Sequence, residues 1–324
     1  MTKTTLSLKW LDTFRRVAQS GSMQQAAEQS SQSISTVSHH LKCLEDHLGV
    51  ALLDHTRRPM VLTAQGVVYL RHAEEALSLL DKAQVEISGL AAATLRDLRF
   101  AMIEDFESDI GPEVTRMLAA SLPGCRFTHY TRSSHDILAL LRNRALDLGV
   151  ATQPQTPLDG VDEHAVLRDP FVLAAPSGST ETQATAEDYV SGRVALPFLR
   201  YSRDQIMGQL IEAQLTRLRL KLENTFELDS TSSIMALVAQ GQGWAITTPT
   251  NYARSKRFQN RVTLLPFPRK EFARTISVFV ADPKAADVAL SVVTAMRSLV
   301  ATHTIGPLVG LYPWLVDRFQ VIDR

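Results

Sequence analysis

The sequence predicts an α/β multidomain chain, with an N-terminal winged helix-turn-helix, a long linker helix and a C-terminal region of two small α/β subdomains. Three observations lead there. The 324 residues are about twice a typical domain length. From Lys9 to about Ala93 the pattern is almost wholly helical, broken only by short polar stretches. Beyond Leu95, short β-rich runs (LRFAMI, CRFTHY, LDLGVA, FVLAAP, RVALPF, FELD, WAITTP, TISVFVAD) alternate with helical stretches, the signature of βαβ units and a mainly parallel sheet. There are enough strands for two small sheets.

Element by element, Leu8, Leu11, Phe14, Val17 and Ala18 share one face of a first helix, and Gly21 stops it. MQQAAEQS follows as a short helix, in which Ala26 and Ala27 let the next helix cross closely. Ser33 or Ser35 can cap a third helix, buried through Val37, Leu41, Leu44 and Leu48 and ended by Gly49. Two such helices joined by a three- or four-residue break form a helix-turn-helix. The β-like runs VALLDH and MVLT then flank Thr56–Pro59, as a wing would. Thr63 caps a long helix with the stripe Val67, Leu70, Ala73, Leu77, Leu80 and Ile87, ending near Ala93. Such a stripe is buried only against a partner, and a second copy of the chain is the simplest one. The expected boundaries are 1–64 for the winged module, 65–94 for the linker helix, 95–300 for the α/β region and 301–324 for a C-terminal extension. Within the α/β region, one subdomain takes about 95–168 and 270–300, the other about 169–269.

In this arrangement Ser33, Ser35, Thr36, Ser38, His39, His40 and Lys42 lie on the exposed face of the third helix. They can bond phosphates or base edges in a major groove. Arg57 and Arg58 at the wing tip would meet phosphate or the minor groove. On a lone amphipathic helix the same residues are only a solvated face; the ordered set of three helices, wing and long helix turns the reading toward double-stranded DNA. Charge lends modest support. Lys3, Lys9, Arg15, Arg16, Lys42, Arg57 and Arg58 only slightly outnumber Asp12, Glu28, Glu45, Asp46 and Asp54. Phosphate neutralisation dominates affinity, so the reading requires several modules acting together.

The run AAEQSSQSISTVSHHLKCLEDHLGVALLDHTRRPMVLTAQG resembles the DNA-binding module of the LysR-type transcriptional regulators. The matching positions are Ala26-Ala27, Ser33, Val37-Ser38, Leu44-Glu45, Leu48-Gly49-Val50, Leu52-Leu53, Arg57, Leu62-Thr63 and Gly66. The family's usual Gln-Pro-Ala at the start of the recognition helix is here Ile34-Ser35-Thr36, and its usual Arg after Val-Ser is His39. These departures bear on base preference. LALLRNRALDLGVA and LVAQGQGWAITTP are similar to later family stretches. The resemblance implies a periplasmic-binding-protein-like sensor with a small effector in the cleft between its subdomains, a homotetramer, and RNA polymerase as a candidate partner.

In open α/β sheets ligands sit beyond the carboxyl ends of strands. Those positions are Glu104, Asp105 and Phe106, then Ser133 and Ser134, then Thr152 and Gln153. In the other subdomain they are Arg200, Tyr201 and Ser202, then Thr231, then Thr247. Helix capping is the plain alternative for the hydroxyl and acidic positions among them. Adjacent carboxylates at Glu104 and Asp105, if they face the cleft, favour a cationic or amine-bearing effector, with Phe106 or Tyr201 adding a cation–π contact.

Other classes are disfavoured. Lys plus Arg and Asp plus Glu number 34 each, and 45% hydrophobic with 21% charged residues excludes a disordered or highly charged tail protein. The longest apolar run is six residues, Ile234 to Ala239, far short of a membrane span. MTKTTLSLKWLDTF lacks a signal-peptide core, so a cytoplasmic protein is expected. Cys43 and Cys125 form no disulfide framework or zinc module, and burial as small apolar residues is the expectation for both. There is no GxSxG, HExxH, GxxxxGK[ST] or GxGxxG, so neither cofactor nor metal is expected and an enzyme is disfavoured. A two-lobed binding protein or an enzyme without a DNA role is the alternative. The former needs no helical N-terminal third, and the latter needs a positioned nucleophile that the sequence does not offer.

Overall fold

The computed structural model describes residues 6–30, 32–57, 59–74, 76–77, 80, 95–177, 184–222 and 224–323. The chain divides into two compact units, Met1–Ser88 and Gly89–Arg324.

The first unit is built on three helices, α1 (Leu8–Ser20), α2 (Met23–Ser30) and α3 (Ile34–Leu48). Ser7 caps α1, and Gly21 closes it in the left-handed region at φ 65°, its N–H donating to the Val17 carbonyl. Ser33 is the cap of α3, its Oγ accepting from the Thr36 N–H at 3.1 Å, and Gly49 ends that helix at φ 70°. Strands β1 (Leu53–Asp54) and β2 (Val61–Leu62) pair antiparallel as a short wing. The Glu45 carboxylate on α3 accepts from the backbone N–H of Leu52 at 2.8 Å and of Leu53 at 3.2 Å, tying the wing to the helix. Helix α4 covers residues 64–74, and Thr63 Oγ1 accepts from the Gly66 N–H at 3.0 Å.

The core of this unit is Leu11, Phe14, Val17, Ala26, Ala27, Val37, Leu41, Leu44, Leu52 and Leu53. Leu8, expected on the buried face of α1, is exposed instead, because it stands in the first turn beside the cap. On the long helix Ala73 is buried and Leu70 and Leu77 pack on the core, whereas Val67 and Leu80 are exposed. The rest of the stretch expected as a linker helix, including Ile87, lies outside the described residues.

The second unit holds two lobes, one built on a six-stranded sheet. That sheet contains β3 (Asp97–Met102), β4 (Arg126–Thr131), β5 (Leu148–Thr152), β6 (Asp162–Pro170), β12 (Ala273–Val280) and β13 (Gln320–Val321), in the order β13-β6-β12-β5-β3-β4. Only β3–β4 and β3–β5 are parallel; β12 runs antiparallel to both β5 and β6. The expected mainly parallel sheet is therefore mixed. The long strands β6 and β12 lead to and from the other lobe, so they cannot follow the simple βαβ order.

The other lobe contains β7 (Val172–Pro176), β8 (Phe198–Tyr201), β9 (Asn224–Leu228), β10 (Ala245–Thr247) and β11 (Val262–Pro266). It forms the antiparallel order β10-β7-β11 and the parallel pair β8-β9, linked by a bridge between Phe198 and Trp244. The helices that position the cleft are α5 (Ile110–Ser121), α6 (Ser134–Arg142), α7 (Ala186–Val190), α8 (Ile206–Arg217), α9 (Thr231–Ala239) and α10 (Pro249–Arg254). Helix α8 crosses β8 so closely that a Cβ at Gly208 would lie 2.0 Å from the Ser202 carbonyl oxygen.

The C-terminal region closes on this unit. Helices α11 (Ala286–Val300) and α12 (Gly306–Leu311) belong to one helical stretch, Pro283–Leu311. Among the described residues it is the one helix long and apolar enough to cross a membrane by length and composition. Its Val288, Val292, Met296 and Val300 are buried in the core of this unit. The residues beyond 300, which read as an extension, continue the fold: Leu315 and Phe319 are fully buried, and β13 adds an edge strand to β6.

On β4, the His129 ring is half-buried, with Nδ1 3.0 Å from Thr115 Oγ1 and a buried Nε2 that has no hydrogen-bond partner among the described residues. Burial holds this imidazole below its ordinary value of 6.5, against the opposing pull of Glu107. The unfolded chain then binds a proton more readily than the folded one below pH 6.5, so stability falls as pH drops through that window. Urea midpoints measured on both sides of it are expected to differ less in His129→Asn than in the parent. An unchanged difference would show that His129 does not carry this dependence.

Candidate nucleic-acid interface and effector cleft

On α3, Ser33, Ser35, Ser38, His39 and Lys42 are exposed and Thr36 is half-exposed. They share the face opposite Val37, Leu41 and Leu44, as helical periodicity requires. Ser33 Oγ also lies 2.7 Å from Ser35 Oγ and 2.8 Å from Thr36 Oγ1, so three hydroxyls cluster at the N-terminus of the helix. His40 does not belong to that face. Its Nδ1 sits 3.1 Å from Thr13 Oγ1 on α1, and partial burial, with His39 and Lys9 nearby, keeps the ring below its ordinary pKa. The position next to His39 lies about 100° around the helix, far enough to turn from the outer face to the α1 contact. Arg57 projects from the wing with 69% of its side chain exposed, its Nε 3.3 Å from Asp54. Arg58 lies outside the described residues. Both cysteines are half-exposed rather than buried, and Cys43 Sγ stands 3.5 Å from His39 Nε2.

In the second unit the strand ends converge, although not as the sequence suggested. Tyr201 is buried at the end of β8 with its hydroxyl 3.0 Å from Thr247 Oγ1 and beside Thr231, and burial pushes the phenol above its ordinary range. Arg200, its neighbour, points to the opposite face of the strand. There its guanidinium pairs with Glu212 and donates to the Leu222 carbonyl at 3.2 Å, so it does not join Tyr201. Phe106 is 1% exposed and part of the core, which removes it as an aromatic platform. Ser133 caps α6 through the Asp136 N–H, Ser134 Oγ accepts from the Thr152 N–H at 3.1 Å, and Gln153 and Ser202 lie at the surface or half-buried.

Arg274, at the start of β12, organises this region. Sequence reading missed it. Its guanidinium donates to Asp169 at 2.8 and 2.9 Å, to Asp105, to Thr248 Oγ1 at 3.1 Å and to Thr152 Oγ1 at 3.4 Å. Asp105 and Thr152 belong to the larger-sheet lobe and Thr248 to the other, so one buried cation bonds both lobes. Arg254 on α10 reaches Glu104 at 2.7 Å and Glu107 at 3.6 Å, and Lys256 reaches Asp109 at 2.9 Å. The Glu104–Asp105 pair is thus not a bare anionic surface. Each carboxylate already has an arginine, and the electrostatic reason for a cationic effector disappears.

Open space in this unit lies along helices of both lobes. A groove of about 270 Å³ runs between α6, α8 and the stretch following β5, with Leu138, Leu158, Ile206 and Leu210 among its walls. Among the described residues no group of three or more His, Cys, Asp or Glu side chains is placed to hold a metal ion.

The family model described as "LysR substrate binding domain" matches residues 92–296, and that of "Bacterial regulatory helix-turn-helix protein, lysR family" matches residues 8–67. The chain is 28% identical over 242 residues to an uncharacterized HTH-type transcriptional regulator, YfeR, of Shigella flexneri, covering 74% of this chain and 77% of that one. It is 24% identical over 273 residues to the transcriptional activator protein LysR of Escherichia coli K12, covering 81% and 85%. Its fold is similar to a hydrogen-peroxide-bound OxyR mutant of Corynebacterium glutamicum, with TM-score 0.55, 18% identity and coverage of 95% of this chain and 97% of that one. It is similar also to Vibrio fischeri DarR in complex with DNA, with TM-score 0.50, 18% identity and coverage of 91% and 100%.

Proposed function

Because the chain belongs to the LysR family of bacterial transcriptional regulators, we propose that its DNA contacts come from the outer face of α3 and from the wing, with a small effector read by the two-lobed unit. The protein is a DNA-binding, ligand-responsive regulator and not an enzyme. What supports the contact assignment is one observation: the exposed hydroxyls, His39 and Lys42 share the face of α3 that the core leaves free. Ser33, Ser35, Thr36, Ser38, His39 and Lys42 would read bases and phosphates, Arg57 and Arg58 would bind phosphate, and His40 is withdrawn from the set.

The exposed Val67, Val68 and Leu80 on the long helix support self-association through it, and a tetramer would double the contacts again. Cytoplasmic location and contact with RNA polymerase belong to the same reading. Effector binding acts by favouring one arrangement of the subunits over another, which requires different affinity for the two.

The test is a salt-dependent gel shift against the DNA immediately upstream of the coding region, with random DNA as competitor. Ser38→Ala or His39→Ala is expected to cost about 1–3 kcal/mol on the specific site alone. Arg57→Ala should weaken binding on every sequence and reduce the salt slope by about one. Full affinity in all three variants would reject the α3 and wing assignment.

A further inference from the structure

The groove between α6 and α8 carries a chemistry of its own. Leu138, Leu158, Ile206 and Leu210 supply apolar wall, while Arg142, in the last turn of α6, and His135 supply the basic side chains of a polar lining completed by Gln155, Thr156 and Gln209. Among the described residues no carboxylate lines the cavity. Both Arg142 and His135 are exposed and form no ion pair among the described residues, so the guanidinium is open to an incoming anion. In the same unit Arg99 pairs with Asp147, Arg116 with Glu113, Arg126 with Asp97, Arg254 with Glu104 and Arg274 with Asp169.

We propose that this groove binds a small amphipathic organic anion, a carboxylate carried on an apolar skeleton. The skeleton would lie against the leucines and Ile206, and the carboxylate would accept charge-assisted hydrogen bonds from the Arg142 guanidinium. The volume of about 270 Å³ confines the ligand to the small end of the usual range. The strand-end cluster around Arg274 is a poor competitor for such a ligand, because its cation is already held by two aspartates and two threonines. Leu138, Arg142 and Leu158 belong to the larger-sheet lobe and Ile206 and Leu210 to the other, so an occupant touches both and its affinity depends on their spacing. That regulatory meaning rests on the effector reading above; the ligand chemistry does not.

The experiment is calorimetric titration of the full chain with three probes that share one skeleton: 3-phenylpropanoate, 3-phenylpropan-1-ol and 3-phenylpropylamine. The carboxylate is expected to bind at least about ten-fold more tightly than the amine, with the alcohol between them. Arg142→Gln, a change at an exposed side chain, should erase the advantage of the carboxylate while leaving the affinity for the alcohol in place. Leu210→Trp should exclude all three by filling the groove, and thermal unfolding without ligand checks that both variants are folded. Equal or tighter binding of the amine, an unchanged carboxylate affinity in folded Arg142→Gln, or binding of none of the probes would overturn the site. A gel shift with and without the carboxylate separates the two readings. Binding with an altered DNA complex supports both, and binding with an unaltered complex keeps the site but removes it from effector sensing.

Discussion

Replacing Arg274 with methionine is expected to destabilise the two-lobed unit by about 3–5 kcal/mol, the usual cost of removing one partner from a buried ion pair. The side chains of Arg274 and Asp169 are 4% and 0% exposed, and that of Asp105 is 11% exposed. Without the guanidinium, Asp169 is left as a buried carboxylate with no cation. Burial already pushes its pKa above the ordinary value, and the charges and hydrogen bonds of Arg274 oppose that push. The variant should therefore take up a proton on folding. A carboxyl with a raised folded pKa favours the folded state more as pH falls, so the loss should shrink toward acid. Urea unfolding at neutral and mildly acidic pH measures both effects. Adding Asp169→Asn should recover a large part of the loss, since the amide carries no charge to strand. A variant as stable as the parent at neutral pH would show that the cluster contributes nothing net.

Phe14→Ala is the second large effect, and it should fall on the other unit. Phe14 is fully buried at the centre of α1, with its ring 6.0 Å from that of Tyr69 on α4. Truncating a buried phenylalanine to alanine typically costs about 3–5 kcal/mol, comparable with the whole stability of a small domain. The expected result is loss of operator binding at 25 °C, with the unfolding transition of the Gly89–Arg324 unit unmoved. Gel shift and urea unfolding read the two consequences separately. Operator affinity equal to that of the parent would show that the DNA-binding unit tolerates the cavity, and a shifted transition of the second unit would show that the two do not unfold independently.

Much of the first unit was legible in the sequence because its signals are local. Gly21, Ser33, Gly49 and Thr63 start and stop helices through hydrogen bonds within a few residues of themselves. The apolar positions Leu11, Phe14, Val17, Val37, Leu41 and Leu44 recur at helical spacing. His40 was misplaced for the opposite reason: its partner Thr13 is 27 residues away, and periodicity alone leaves such an intermediate position undecided.

The cleft was legible as a set of strand ends, and Tyr201, Thr231, Thr247, Thr152 and Asp105 do approach one another. Arg200 was lost to strand alternation and Phe106 to the core. Arg274 gave no signal in its surroundings, since an arginine at the start of an apolar strand reads as a solvated edge residue.

Composition, periodicity and caps determined by themselves that the chain has a winged helix-turn-helix, a helix following the wing and an α/β region, and its ordered residues marked the family. These properties depend on residues close in the chain, where backbone geometry dictates which side chains share a face. Tertiary structure alone decided that Asp105 and Glu104 are neutralised, that Asp169, Arg274 and Thr248 bind both lobes together, and that a groove opens between α6 and α8. Asp105 and Arg274 are 169 residues apart. Charges that far apart in sequence have no mutual preference until folding removes water from between them, which is when their pairing begins to matter.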